Sequence, residues 1–301
     1  MLGQSMRGIS VGFLAASLCF MPMLAQADKG GDLEQVMQRG VLRHLGVVYA
    51  NFVSGSGDGF SVDLMQQFAK HLGVEYEYVP TTWSDVIPDL IGHDVVVQGD
   101  EVREAGSRQI QGDVIANGLT ILSWRKKVID YSEPIFPTQV WMVARAGAPI
   151  QPIEPSGNVD QDIALVKNQI DGLTILGIDG TCLDTSLYNL KAHGAATRSF
   201  NGSMNELVPA VMNNVADATV LDVPDALIAL QKWGGEIKVI GPVSHQQNMG
   251  CGFRQSSPQL LHEFNKFLRQ IQENGTYLDI VKKYYPNVFD YYPEFFASDA
   301  D

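Results

Sequence analysis

Twice along this chain a short apolar strand, an amphipathic helix and a further strand recur in the same order, and that alternation leaves few folds open. After a short helix over Leu33–Arg39, residues 41–48 read as a strand. Phe60, Leu64, Phe68 and Leu72 then recur every fourth residue, the stripe of an amphipathic helix that Gly73 ends. Residues 74–79 alternate apolar with acidic side chains, a strand pattern; a short helix over Val86–Ile91 and a strand over 114–121 follow. Strands joined by helices need crossovers, which place a mostly parallel sheet between layers of helices. Beyond the breaks at Pro134 and Pro137 the order repeats. Strand 140–144 leads through a Pro/Gly-rich loop, 147–157, to helix 161–169, strand 173–178 and helix 183–192. Helix 204–213, strand 218–221, helix 224–233 and strand 237–240 complete the unit. Leu260, Leu261, Phe264, Phe267, Leu268 and Ile271 share a helical face that stops at Asn274-Gly275, and a helix over 277–284 precedes an aromatic tail. The expectation is an α/β chain of two lobes, 28–137 with 248–301 and 138–247, crossed more than once. Clefts between lobes are where small ligands bind.

The N-terminus reads as an export signal. Arg7 gives the positive start, residues 9–24 are mostly apolar, and Ala25-Gln26-Ala27 is a small-residue cleavage site. Cleavage after Ala27 leaves a periplasmic chain starting at Asp28; Cys19 is a poor lipid anchor because Leu18 precedes it. A formal net charge of −13 argues against nucleic acid and anionic membrane as partners. Cys182 and Cys251 stay in the exported part, where a disulfide and two separate thiols are both open. The six histidines lack metal-ligand spacing, and neither a metal nor a cofactor is expected.

The segment Gly118-Leu119-Thr120-Ile121-Leu122-Ser123-Trp124-Arg125 is the chemically richest stretch. Gly118, ending an apolar run, lets another molecule approach the backbone. Thr120 offers a hydroxyl. Ser123 is expected to cap a helix whose first turn carries Arg125; a helix N-terminus with a guanidinium suits a carboxylate. A solvated basic turn is the plain alternative, and it describes Lys126 and Lys127.

Several motifs resemble the periplasmic amino-acid-binding proteins of ABC importers, the type II bacterial extracellular solute-binding class. They are Gly59-Phe60-Ser61-Val62-Asp63-Leu64, the stretch from Trp83 to Leu90, Gly118 to Pro134 with its Asp130-Tyr131-Ser132-Glu133-Pro134 ending, Leu221-Asp222-Val223-Pro224, and Glu273 to Tyr277. Each is weak alone; five in order are specific. The resemblance implies the two-lobed type II binding-protein fold and a hinge that closes on an amino acid for delivery to a membrane permease. It implies a monomer and a receptor, not an enzyme. It places Arg125 on the ligand carboxylate, Gly118 and Thr120 on the ammonium group, and Asp222 opposite as the neutralising acid. Trp83 becomes an aromatic wall, Gly180 and Thr181 a backbone loop at the carboxylate, and Tyr49 part of the pocket mouth, with Phe52 beside it.

The capping of a helix near Pro224 is an alternative use of Asp222. The first strand lacks the acidic residue that the family usually places after it, Leu122 replaces a frequent Thr, and the charged residues 94–111 look inserted. A sensory module for a membrane receptor is one alternative function. A cyclohexadienyl dehydratase is another, but the glutamate that such enzymes carry after the Gly-Thr is absent from Cys182-Leu183-Asp184.

Overall fold

Glycines and capping residues cut the chain into short elements, and the computed structural model describes these over residues 33–98 and 101–297. The expected export signal and Cys19 lie outside the described residues. In chain order come α1 (Leu33–Arg39), β1 (Val41–Gly46), α2 (Phe60–Leu72), β2 (Glu75–Pro80), α3 (Val86–Ile91), β3 (Asp94–Gln98), β4 (Glu101–Ala105) and β5 (Val114–Ile115). Next are β6 (Ile129–Tyr131), β7 (Phe136–Thr138), β8 (Val140–Arg145), α4 (Val159–Lys167), β9 (Thr174–Gly177), β10 (Ala196–Ser199) and α5 (Leu207–Met212). The remainder is β11 (Ala218–Asp222), α6 (Val223–Trp233), β12 (Ile237–Pro242), β13 (Gln247–Met249), β14 (Gly252–Arg254), α7 (Pro258–Glu273), α8 (Thr276–Tyr284) and α9 (Pro293–Phe296).

The strands form two five-stranded sheets, β2-β1-β5-β14-β6 and β10-β9-β11-β8-β12. Each has a parallel part, where crossover helices return the chain, and an antiparallel part: β14 runs against β5 and β6, and β8 against β11 and β12. The sheets are therefore mixed, not mostly parallel. Between them β7 pairs antiparallel with β13, Gln247 opposite Thr138, so two strands cross side by side from one sheet unit to the other. Helix α2 places Phe60, Leu64, Phe68 and Leu72 in the core, as its spacing requires, and Gly73 ends it with a φ of +71°.

Three expectations fail for local reasons. The strand expected over 114–121 ends at Ile115, because Gly118 turns the chain with a φ of +73°; Thr120 keeps one isolated bridge to Met249. The helix expected over 183–192 is two 3-10 turns, Thr185–Tyr188 and Leu190–His193, divided by Asn189 at a φ of 56°. Ser123 caps nothing. It is exposed, and Arg125–Lys127 forms only a three-residue 3-10 turn before the chain enters β6. The segment that looked inserted folds partly into the β3–β4 hairpin, held at its base by Arg108 ion pairs to Asp85, Asp89 and Asp94. Cys182 and Cys251 are both buried and free.

Asp113 fastens the frame of the first sheet. Fully buried, it accepts the Arg43 backbone N–H at 2.9 Å and pairs with the guanidinium groups of Arg39, Arg43 and Arg254 at 2.5, 2.9 and 3.5 Å. These tie α1, β1 and β14 to the segment entering β5. Removing one partner of a buried charge network leaves the others uncompensated. Asp113→Ala is therefore expected to lower stability by about 3–5 kcal/mol in urea unfolding; a loss below about 1 kcal/mol would contradict this account.

Candidate functional site

The passage from β5 to β6 brings Gly118, Thr120 and Arg125 to one place. A Cβ at Gly118 would stand 2.7 Å from the Phe52 ring, so the space its missing side chain leaves is filled by Phe52. The Thr120 carbonyl accepts the Arg125 Nη1–H at 3.0 Å and the Tyr131 hydroxyl at 3.1 Å. These bonds turn the guanidinium inward, to 3% exposure, with its carbon 5.3 Å from the Trp124 ring centre. Arg125 makes no ion pair among the described residues. Its Nε and the Thr120 hydroxyl oxygen have no partner. Because the turn is too short to carry a helix dipole, the pull on an anion is the guanidinium's own.

Asp222 closes β11 and precedes α6, yet its side chain makes no capping bond, so the capping alternative is not realised. Its carboxylate is fully buried; Oδ2 accepts the Tyr49 hydroxyl at 3.2 Å and the Cys182 thiol at 3.0 Å, and Oδ1 has no partner. Burial pushes the Asp222 carboxyl up to about 6, against the bonds from Cys182 and Tyr49 and the positive Arg125. One helical turn on, Asp225 is also buried, and burial with the neighbouring Asp222 charge raises it to about 8. Tyr49 comes from the loop after β1, so its bond to Asp222 links the two sheet units. Its ring is stacked on Phe52 at 5.9 Å, and the half-buried Trp83 meets it edge-on at 5.6 Å.

The Gly180-Thr181 loop is arranged differently. Gly180 is exposed and donates its N–H to Asp184 at 3.3 Å. The Thr181 hydroxyl donates to the Ile178 carbonyl at 2.7 Å and accepts the Leu183 N–H at 3.0 Å, so it is engaged in its own turn. The neighbouring Cys182 is the side chain that reaches Asp222.

Sequence reasoning missed four members of this cluster. Asn117 is fully buried with neither amide atom partnered, and Thr138 is fully buried with an unpartnered hydroxyl. Cys182 and Asp225 are the others. Asn117 had a visible signal, a polar residue closing the apolar run before Gly118; the rest depended on which strands pair. Val140 opposes Asp222 in the β8–β11 ladder, which brings Thr138, two residues earlier, towards the same face. A crevice of about 750 Å³ opens nearby, lined by residues such as Ile121, Lys126 and Asn248, but none of the expected ligand residues lines it. No group of three potential metal ligands occurs among the described residues.

The comparisons agree with this frame. The family model for "Bacterial extracellular solute-binding proteins, family 3" matches residues 49–99 and 95–287, its two segments meeting in the β3–β4 hairpin. The L-cystine-binding protein TcyJ of Escherichia coli (strain K12) is 27% identical over 289 residues, 94% of this chain and 95% of that protein. Membrane-bound lytic murein transglycosylase F of Desulfosudis oleivorans is 27% identical over 237 residues, covering 77% of this chain but only 46% of that protein, so the chain spans about half the length of that relative. Among solved structures, an ancestral amino acid-binding protein, AncCDT-1, a precursor of cyclohexadienyl dehydratase, superposes with a TM-score of 0.65 and 26% identity, over 84% of this chain and 98% of that one. With two mixed sheets joined by paired crossing strands and a family model matching most of its length, the chain belongs to the bacterial extracellular solute-binding proteins of family 3.

Proposed function

We propose that this protein captures an amino acid between its two sheet units and hands it, in the periplasm, to the permease of an ABC importer. The observation that carries this reading is the separation of Arg125 and Asp222, two opposite charges buried in one cluster without an ion pair between them. A zwitterion fits that arrangement, its carboxylate on Arg125 and its ammonium on Asp222 Oδ1. Thr120 and the Gly118 carbonyl then stand at the ammonium, and Trp83 and Tyr49 flank the side chain; the Gly180 and Thr181 N–H groups, held in their own turn, take no part. Lobes of 28–137 with 248–301 and 138–247 meet at the β7–β13 pair, which serves as the hinge. Because the two charge partners come from different lobes, the ligand favours the closed state over the open one.

A monomeric receptor without catalysis is the reading we favour. The relative TcyJ is named for L-cystine, which makes that amino acid a first test ligand alongside arginine and histidine. The dehydratase alternative lacks its acid. Asp184, the nearest substitute, accepts the Ser186 N–H at 2.9 Å and the Gly180 N–H at 3.3 Å, and so is held in its own turn. Export through the N-terminal signal is part of this proposal.

Titration calorimetry against L-cystine, L-arginine, L-histidine and L-glutamine tests it. Arg125→Ala is expected to abolish binding without lowering the melting temperature, since a buried guanidinium without a counter-charge does not stabilise the fold. Retained affinity would sink the assignment. Asp222→Asn is expected to weaken binding by about 2–5 kcal/mol, the usual cost of losing one side of a buried charge pair. An effect below about twofold would remove Asp222 from the ligand site. In the wild type, only ionised Asp222 neutralises an ammonium. Affinity should therefore fall as pH drops through about 6, approaching tenfold per unit below it. A profile level down to pH 5 would contradict it.

A further inference from the structure

The thiol of Cys182 has no task in the reading above, yet it lies against the acid at the centre of it. Its Sγ is 3.0 Å from Asp222 Oδ2, the same oxygen that accepts the Tyr49 hydroxyl at 3.2 Å. The two donors arrive from different elements, Tyr49 from the loop after β1 and Cys182 from the turn after β9. Both choose one oxygen. The other, Oδ1, is buried and has no partner, and the unpartnered Thr120 hydroxyl and Arg125 Nε belong to the same cluster.

We propose that Cys182 is a positioning residue for ligand capture: its thiol, together with the Tyr49 hydroxyl, holds Asp222 by Oδ2 so that Oδ1 faces the ammonium group of an amino-acid ligand. This rests on the amino-acid-binding reading of Asp222. A carboxylate next to a backbone turn can rotate about its last torsion; the Cys182 thiol, from the same lobe as Asp222, holds Oδ2 before the ligand arrives and the Tyr49 hydroxyl joins it in the closed form, which lowers the ordering cost of binding. A thiol suits the task. It donates more weakly than a hydroxyl, so it directs the carboxylate while leaving it the charge that an ammonium needs. Burial, reinforced by the Asp222 charge, raises the Cys182 thiol far above its ordinary value, so it stays protonated and keeps donating. A nucleophilic role would require the opposite. Cys251 is buried and free, so the thiol is not engaged in a disulfide.

The groups around Asp222 bear on its titration. Arg125, Tyr49 and Cys182 act to keep it ionised, and Asp225 acts the other way. Tyr188, Tyr285 and Tyr292 also feel its charge, and all three phenols titrate above their usual value. Burial raises both Asp222 and Asp225, and the Asp222 charge raises Asp225 further, so the fall of affinity at low pH is the limb that Asp222 governs. Losing the Cys182 donor moves the Asp222 limb to higher pH.

The test is calorimetric affinity for L-cystine, L-arginine, L-histidine and L-glutamine, measured from pH 5 to pH 8 for wild type, Cys182→Ala, Cys182→Ser, Tyr49→Phe and Asp222→Asn. Losing one neutral donor is expected to weaken binding by about tenfold in Cys182→Ala and in Tyr49→Phe. Cys182→Ser, which restores an O–H donor, is expected within about twofold of wild type, with the acid limb back near pH 6. If Cys182→Ser is as weak as Cys182→Ala, packing and not donation explains the residue and the proposal falls. It falls equally if Cys182→Ala keeps wild-type affinity and an unmoved acid limb. Should Cys182→Ala not fold, Tyr49→Phe decides on the same two readouts. If Asp222→Asn itself leaves affinity unchanged, the amino-acid-binding reading fails; if Asp222→Asn is severe while Cys182→Ala and Tyr49→Phe are silent, only the positioning role fails.

Discussion

Two opposite charges buried close together but not in contact are an expensive arrangement, and the design of this molecule follows from it. Arg125 is held by a carbonyl, a neutral acceptor, and its positive charge is felt by Asp222 without an ion pair forming. A protein that needed only stability would let the two meet or replace both with apolar groups, since buried pairs seldom repay their desolvation. Here Arg125 belongs to the first sheet unit and Asp222 to the second. Holding them apart therefore means holding the sheets at a set spacing, which the paired β7 and β13 strands and the Tyr49–Asp222 bond do together.

Stability is located elsewhere. The Asp113 network, with three guanidinium groups and a backbone N–H around one carboxylate, closes the end of the first sheet by the pairing that Arg125 and Asp222 lack. The aromatic side chains Phe52, Phe60, Phe136 and Tyr285 fill the volume beneath the site, with ring centres 4.9–5.7 Å apart in successive contacts. Phe52 also occupies the space over Gly118, so the glycine that allows the turn allows the packing as well. Asn117, Thr120, Arg125, Thr138 and Asp222 all carry buried polar atoms without a partner. Such atoms are expected where local stability has been given up for binding.

Elements long enough to show a period were legible in the sequence: α2 and α7 each place their spaced apolar residues in the core. The Gly118–Arg125 stretch stood out because its residue types are chemically unusual together. What escaped was whatever depended on contacts between distant segments. Cys182 read only as half of a disulfide or a separate thiol until the turn after β9 brought it 3.0 Å from Asp222. Ser123 read as a cap from its place before Trp124-Arg125, but entry into β6 shortens that helix to one 3-10 turn. The strand through 114–121 failed for a related reason: the apolar run continues, while Gly118 takes the backbone out of the ladder.

The raised titration points of Asp222 and Asp225 resemble those of a general acid or base, since catalytic sites tune carboxylates towards neutral pH. Their cause is burial, which by itself assigns no catalytic role. Removal from water does most to raise both carboxyls, and Oδ1 of Asp222 has no partner. In the amino-acid-binding reading proposed above, an ammonium on Oδ1 would return that carboxyl towards its ordinary value. A proton-transfer catalyst needs its group poised between two states in the bound complex. In the same amino-acid-binding reading, ligand contact would push the acid wholly into one state, and the thiol and phenol on Oδ2 would keep it there.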